Sequence, residues 1–536
     1  MSIFAFYLIT KNDSIMRYIL LMFIISIALN LSAQSTSKLI KNAKTEMSKD
    51  NFKKAADILE PIVNQQPRNK EVLRLTGICF LNVAGEEEKS WRYLDKAVMF
   101  YPLGNKPSSS TIETYFFLGQ SLHKNHKFDQ AANIYEKLLK FQIPKDLESK
   151  IKRELEYSKN AMELVKKPRD FKIISMGDVI NSPYDEHSPL VALDESTFYF
   201  TSNRPTDEMS KFEEEYFENI FVSYWRDGEW TKPQILELPG EYFGNRATVS
   251  ISADGNTMII YQNDGFKGSL YTTRLGFKGW TEPVPLPVNS SNSTENHACF
   301  SPDGTEIWFV SDRAGGFGGK DIWVSRQLPD GSWGEPTNAG TDINSEYDED
   351  SPFISPDGSL LYFSSQGHNS MGGFDIFVSR KGKSGAWLKA ENIGYPVNTP
   401  NDDIFVLPTP DEQRIYLSSR RKGGKGGSDL YVITFPEEDS RALCVLAGHI
   451  FYPDKTPNDN AIIRVTDEKG DLIGVYRPNA FSGKFSTILP SGFKYFLEID
   501  AEGYKIIHQE VNIPLRDVYG TRQRAAYLPY IILEEN

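Results

Sequence analysis

The pattern of hydrophobic and polar positions changes character three times along the chain. Apolar residues recur at helical spacing from 36 to 166, without strand-like alternation. From Phe171 to about 436 they alternate in short runs broken by Asp-Gly and Gly-Gly, and from 441 to 535 shorter alternating runs are punctuated by Gly and Pro. Ahead of all three, Arg17 precedes the apolar run Tyr18 to Leu29, and a small residue follows at Ala33. That order predicts a secretory signal peptide over 1–33, cleaved near Gln34, with Met16 as an alternative start. A membrane anchor is the other reading, but the run is short for a span of about 20 residues.

In the helical region two segments open alike, Asn51-Phe-Lys-Lys-Ala-Ala56 and Lys127-Phe-Asp-Gln-Ala-Ala132. Ala43 and Gly119 stand 12 residues before Ala55 and Ala131, and Pro67 and Pro102 are 35 apart. Small residues at these places let paired helices approach closely, and the prolines stop the second helix of each pair. The layout resembles tetratricopeptide repeats, whose period is about 34 residues. The expectation is about three such repeats over 36–166, closed by a helix from about Lys145, with a groove suited to protein segments.

In the second region Ser301-Pro-Asp-Gly-Thr-Glu-Ile-Trp308 returns as Ser355-Pro-Asp-Gly-Ser-Leu-Leu-Tyr362, and Asp303, Asp357 and Asp411 are spaced by 54 residues. Asp194 and Asp254 align with them. A strand follows each turn, then in the later copies a glycine loop, a strand opening with Asp321, Asp375 or Asp429, and a segment marked by Trp333 or Trp387. Four strands per unit at a fixed period predict the blades of a β-propeller over 171–436. The last unit stops at Thr434 without a fourth strand, whereas Phe171-Lys-Ile-Ile-Ser175 has no blade before it, so the early strand is expected to close the ring. The count gives five blades, with six the alternative. The turn and its strand resemble the PD40 repeats of TolB-type propellers. Residues 441–535 predict a small β-sandwich, and their order resembles the transthyretin-like carboxypeptidase-regulatory-like domain, which carries no protease chemistry. The fold class is thus a multidomain chain: helical solenoid, all-β propeller, small sandwich.

Composition narrows the function. The net charge of −13 over 536 residues argues against a nucleic-acid binder, which needs a basic footprint. Three cysteines, Cys79, Cys299 and Cys444, fall one to a region and build neither a disulfide framework nor a metal knuckle, so free buried thiols are expected. No G-x-S-x-G nucleophile elbow occurs. The acids recur by repeat instead of forming one unique pair, as a glycosidase would require. Asp303 and Asp357 are expected to bond N–H groups of their own turns. His123 and His126 read as solvated turn residues. Asp348-Glu349-Asp350 lacks the oxygen spacing of an EF-hand loop, and a solvated or contact role is favoured over calcium. No catalytic residue, cofactor or metal ligand is assigned, and the chain is expected not to be an enzyme.

Strand order places the Asp-Gly turns on one propeller face, with the glycine loops and acidic connectors on the other. Arg204, Arg313 and Arg421 each follow the turn aspartate by ten residues and reach that second face. With Asp348, Glu349, Asp350, Asp402 and Asp403 they form the candidate partner-binding set, since arginine beside aromatics favours protein interfaces. The order of signal, helical repeats, PD40 propeller and sandwich resembles PorE-type envelope proteins of Bacteroidetes. That resemblance implies a non-enzymatic scaffold, periplasmic or bound to the outer membrane, supporting type IX secretion or gliding-adhesin export, perhaps beside a PorP/SprF-like barrel. Relatives of this kind continue into an OmpA-like peptidoglycan-binding domain where this sequence ends at Asn536, so peptidoglycan anchoring is not expected. The competing readings are a propeller enzyme acting on glycans or peptides, and a soluble periplasmic peptide-binding or sensor protein.

Overall fold

Small residues bring the helices together where their spacing predicts. In the computed structural model a Cβ on Gly77 would stand 2.6 Å from Leu94 Cγ, and one on Gly119 would stand 2.5 Å from the ring of Tyr135, so each crossing needs hydrogen there. Ala43, Ala55, Ala97 and Ala131 are fully buried. The structure describes residues 36–536 apart from 84, 206–216, 241, 243, 253–254, 264–267, 277, 410–413, 422, 435–442, 459, 481 and 514–525. The expected signal peptide and the turn residues Asp254 and Asp411 lie outside the described residues. The chain divides into two compact units, one running to Leu155 and one beginning at Glu156.

The first unit is a run of helices: α1 (36–47), α2 (Phe52–Gln65), α3 (Lys70–Leu81), α4 (Glu87–Val98), α5 (Ser109–Lys124), α6 (Phe128–Leu138) and the start of α7 (Lys145–Leu164). Successive helices from α2 to α6 pack on one another, and α2 and α4 end just before Pro67 and Pro102. A short polar thread crosses the apolar packing: Ser121 Oγ donates to Ser90 Oγ at 2.8 Å, and Ser90 Oγ donates to Gly77 O at 2.9 Å. His123 is buried with its ring 5.0 Å from that of Phe128, which corrects the expectation that it is solvated. Helical periodicity turned it inward. Cys79 is buried and free, and burial pushes its thiol up to about 12.

In the second unit five antiparallel sheets follow one another, and in each the chain runs from an innermost strand outward. Their innermost strands are Glu186–Val191, Asn245–Ile251, Glu295–Phe300, Glu349–Ile354 and Asp403–Pro408. Each innermost strand touches the next, and the fifth touches the first, so the five sheets form a closed ring of blades. The strand Lys172–Ser175 pairs antiparallel with Asp429–Thr434, Lys172 opposite Thr434, and supplies the outer strand of the fifth blade. Core side chains lie between blades, as with Phe309 and Trp323 or Phe363 and Phe377. The two-residue outer strands and the tryptophan bridges Gln327 to Trp333 and Lys381 to Trp387 complete the units.

The last module has two sheets. One centres on Leu443–Phe451, flanked by Lys484–Pro490 and by the short segments Ala526–Tyr527 and Ile531–Ile532. The other orders Leu472–Tyr476, Ile462–Asp467, Lys494–Asp500 and Ile507–Asn512. Ile463, Val465, Phe485, Leu497 and Ile499 fill the space between them. The module is tied to the Asp-Gly-turn side of the first blade by an ion pair between Lys484 and the buried Asp194. Lys484 Nζ also donates to Ser196 Oγ at 3.0 Å, and Tyr527 OH donates to Asp194 Oδ2 at 3.2 Å. The remaining turns behave as their sequence predicts: Asp303 Oδ1 accepts from Thr305 N at 3.1 Å, and Asp357 Oδ1 accepts from Ser359 N at 3.1 Å.

Candidate functional site

The glycine-loop face is where the sequence placed its contact residues, and there the arginines have another occupation. Arg204, Arg313 and Arg421 have side chains only 16%, 17% and 13% exposed, paired with Glu186, Glu295 and Asp403 at 2.9, 3.1 and 3.2 Å. Each acid opens the innermost strand of the same blade. Each guanidinium also donates to the connector entering its blade, at Ile180 O, Val288 O and Val397 O. The three arginines therefore act as fasteners inside the blade, largely covered, where the sequence pattern leads us to expect side chains held out on the open face. Position ten after the turn fixes the face but leaves open whether the side chain points out or folds back over Phe200, Phe309 or Tyr431. Burial draws the Asp403 carboxyl up, while Arg421 and the hydroxyls of Ser419 and Thr399 pull against it.

The glycine pairs and the connector acids form a second set of fasteners. A Cβ on Gly318 would stand 1.8 Å from Tyr347 O, one on Gly426 1.7 Å from Tyr184 O, and one on Gly372 2.6 Å from Pro400 O. Beside them Asp348 Oδ1 accepts from Lys320 N at 3.0 Å, Asp185 Oδ1 from Ser428 N at 2.7 Å, and Asp402 Oδ1 from Phe374 N at 2.9 Å. Each glycine loop is thus clasped by the connector of the next blade. In the fourth blade the loop is also met by the C-terminal half of α7, where Tyr157 OH donates to Gln366 O and Asn160 Nδ2 to Ser370 O, both at 2.9 Å.

The fourth blade keeps the acid and lacks the arginine. Gly367 stands at the arginine position, and His368 Nε2 reaches the connector carbonyl Ile343 O at 2.9 Å in its place. Glu349 is left fully buried with hydroxyl donors Ser345 and Ser365 at 2.6 and 2.7 Å but no cation. Burial pushes its carboxyl from an ordinary 4.5 to about 7. Because this folded pKa is raised, the stability it contributes is complete below the unfolded pKa and is lost as pH rises through about 7. Glu349→Gln is therefore expected to raise the melting temperature at pH 8, by a gain of about 2–3 kcal/mol, and to change it little at pH 5. Thermal melts at the two pH values check this, and an equal shift at both would count against it.

What remains on this face is at its centre. One residue past the repeated opening position the blades differ: His187, Arg246, Asn296, Asp350 and Ile404. His187 of the first blade and His297 of the third both lie against Phe405 of the fifth, ring centroids 5.4 and 4.9 Å apart, so these side chains meet at the axis. His187 Nε2 is 3.1 Å from Glu218 Oε1, and His297 Nδ1 is 2.5 Å from Asp350 Oδ1. Asn296 Nδ2 donates to Asp350 Oδ2 at 3.2 Å. Burial works to raise Asp350, but the charge and hydrogen bond of His297 outweigh it and hold the carboxyl at about 2. Glu218 is likewise lowered against its burial by His187.

All five innermost strands bulge, four at this level, between His187 and Leu190, Glu295 and Ala298, Asp350 and Phe353, and Ile404 and Leu407, and the second blade's a little further on, between Thr248 and Ser250. Ser188, Ser351 and Phe405 there have φ of 50°, 51° and 56°, a left-handed conformation that costs a non-glycine residue on the order of 1–3 kcal/mol and gathers at functional sites. Of the eight candidate residues, Asp350 alone belongs to this axial cluster. Glu349 and Asp403 are buried in the blades, and Asp348 and Asp402 clasp loops. His187, His297 and Phe405 were missed by the sequence reading. Their signal was available as divergence next to a repeated acid.

No family model and no curated protein matches this sequence. Among solved structures the chain is similar to TolB from Acinetobacter baumannii, at 15% identity over 48% of this chain and 56% of that one, with a TM-score of 0.29. The chain thus spans little more than half of that protein's length. It is similar also to a putative TolB from Agrobacterium tumefaciens, at 17% identity over 60% and 97% with a TM-score of 0.30. A puromycin-hydrolyzing peptidase from Mycobacterium tuberculosis matches at 17% identity over 66% and 56%, with a TM-score of 0.26. Likenesses this distant carry no weight for function, and the ring of five blades stands on the chain's own strand pairing.

Proposed function

We propose that the chain is a non-enzymatic interaction scaffold of the bacterial envelope, and that the axial mouth on the glycine-loop face receives a segment of its partner. The observation that supports this reading most is the contrast on that face. The repeated acids and arginines are used up inside the blades and the glycines in clasping one blade to the next, whereas the axial residues differ from blade to blade and meet around Phe405. The helical region is read as tetratricopeptide repeats and the last module as a carboxypeptidase-regulatory-like sandwich. With the sequence resemblance to PorE-type proteins, they extend the proposal to a periplasmic protein at the outer membrane, serving type IX secretion or adhesin export beside a PorP/SprF-like barrel.

The test is a pull-down from solubilised envelopes with the unmodified chain and with His187→Ala plus His297→Ala. Partner recovery is expected to fall about tenfold or more, as for central and not rim contacts, at a temperature where both proteins are folded, since losing His297 also strands the mostly buried Asp350 and lowers the melting temperature. Recovery of every partner at the original level would overturn the axial assignment. A second reading, an enzyme acting on peptides or glycans, is favoured by the His297–Asp350 pair beside the strained Ser351 and Phe405. Turnover of a peptide, ester or glycan that His297→Ala abolishes would establish it and sink the scaffold.

A further inference from the structure

At the opposite end of the axis a cavity of about 1180 Å³ lies between the last residues of the innermost strands and the terminal sandwich. Val191, Ile251, Phe300, Phe353 and Leu407, one from each blade, make one wall apolar. Phe485 to Ile488 and Val475 to Arg477 make the other. Side chains alternate along a strand, so consecutive residues line one cavity only where it runs along the strand's edge. Both strands are edges: Lys484–Pro490 ends one sheet and Leu472–Tyr476 ends the other. Such edges offer a row of N–H and C=O groups to an added strand.

Two more observations bear on what fits there. Ser250, Thr272 and Thr487 contribute to its wall, but their hydroxyl oxygens are themselves covered and have no partner among the described residues, so they offer nothing to an occupant. Arg274 and Arg477 also line it, are exposed, and have no carboxylate at ion-pair distance among the described residues. The exposed guanidiniums give the cavity a positively charged side. An acyl chain would satisfy the apolar wall and leave the strand edge and the guanidiniums unmet. A polypeptide brings a carbonyl at every residue, and its terminus brings the anion.

We propose that this cavity receives the C-terminal segment of another polypeptide in extended form. The segment pairs with Lys484–Pro490, its apolar side chains rest on the blade wall, and its terminal carboxylate is taken by Arg274 and Arg477. The site is independent of the axial mouth on the other face.

The test uses the full chain and a fluorescein-labelled hexapeptide, Val-Thr-Val-Thr-Val-Phe, with a free C-terminal carboxylate or as its amide. Anisotropy titration is expected to give saturable binding of the acid, with the amide about tenfold weaker or more. Arg274→Ala plus Arg477→Ala should erase the acid–amide difference. Equal binding of acid and amide by the unmodified chain, or no saturable binding, overturns the proposal even if the arginine variant does not fold. Displacement of the acid peptide by an equal concentration of palmitate overturns it in favour of an acyl ligand. His187→Ala plus His297→Ala should bind the peptide unchanged, so failure here leaves the axial reading standing.

Discussion

Asp403→Ala is expected to destabilise the unit from Glu156 onward by about 3–5 kcal/mol, because it strands the Arg421 guanidinium in a buried site. Asp403 is fully buried and accepts from Ser419 Oγ at 2.6 Å, Thr399 N at 2.6 Å and Arg421 at 3.2 Å. Removing it leaves a charge with only two backbone carbonyls, Pro396 O and Val397 O. The pair itself is not the source of stability, since separating two charges from water costs about as much as their attraction returns. Asp403→Leu with Arg421→Met should therefore recover much of the loss. Urea denaturation of the three proteins decides the matter. A single-variant loss below about 1 kcal/mol would mean that water reaches the pair, and an unrecovered double variant would mean that the hydroxyl network matters more than the charge.

Gly318→Ala should cost about 3 kcal/mol, at the upper end for overpacking, because what it meets is backbone. The new Cβ would lie 1.8 Å from Tyr347 O and 3.1 Å from Ser345 O, neither of which can rotate away as a side chain could. The third and fourth blades would have to part at that clasp, and Lys320 N would lose its distance to Asp348. Gly276→Ala serves as the control: its nearest atom is Gly279 O at 3.8 Å, and a change within about 0.5 kcal/mol is expected. Comparable losses in both variants would show that glycine content, not the clasp, sets the effect.

Much of the fold could be read from local pattern. The Asp-Gly turns, the alternating strands and the unmatched ends at Ser175 and Thr434 are properties of short segments, and the structure pairs those ends as their incompleteness required. The site was less legible because a side chain's partner is a distant residue. Each arginine has its acid 18 residues earlier, at Glu186, Glu295 and Asp403. That constant interval marks a fastener, and it was visible in the sequence only to a reader asking which acids and arginines travel together. Phe405 carried no such mark. It meets two histidines of other blades where its strand bulges, and although the bulge recurs from blade to blade, strand alternation does not show which residue it turns to the axis.

The early strand that completes the fifth blade has a kinetic consequence. Lys172 is among the first propeller residues to be made and Thr434 among the last, so the ring cannot shut until nearly the whole domain has emerged. Joining such distant points is slow compared with forming any single blade, whose strands are sequence neighbours. Until then Lys172–Ser175 waits without its partner strand, open to the wrong one. The late closure makes the seam between first and last strands the place where the finished ring would reopen under strain.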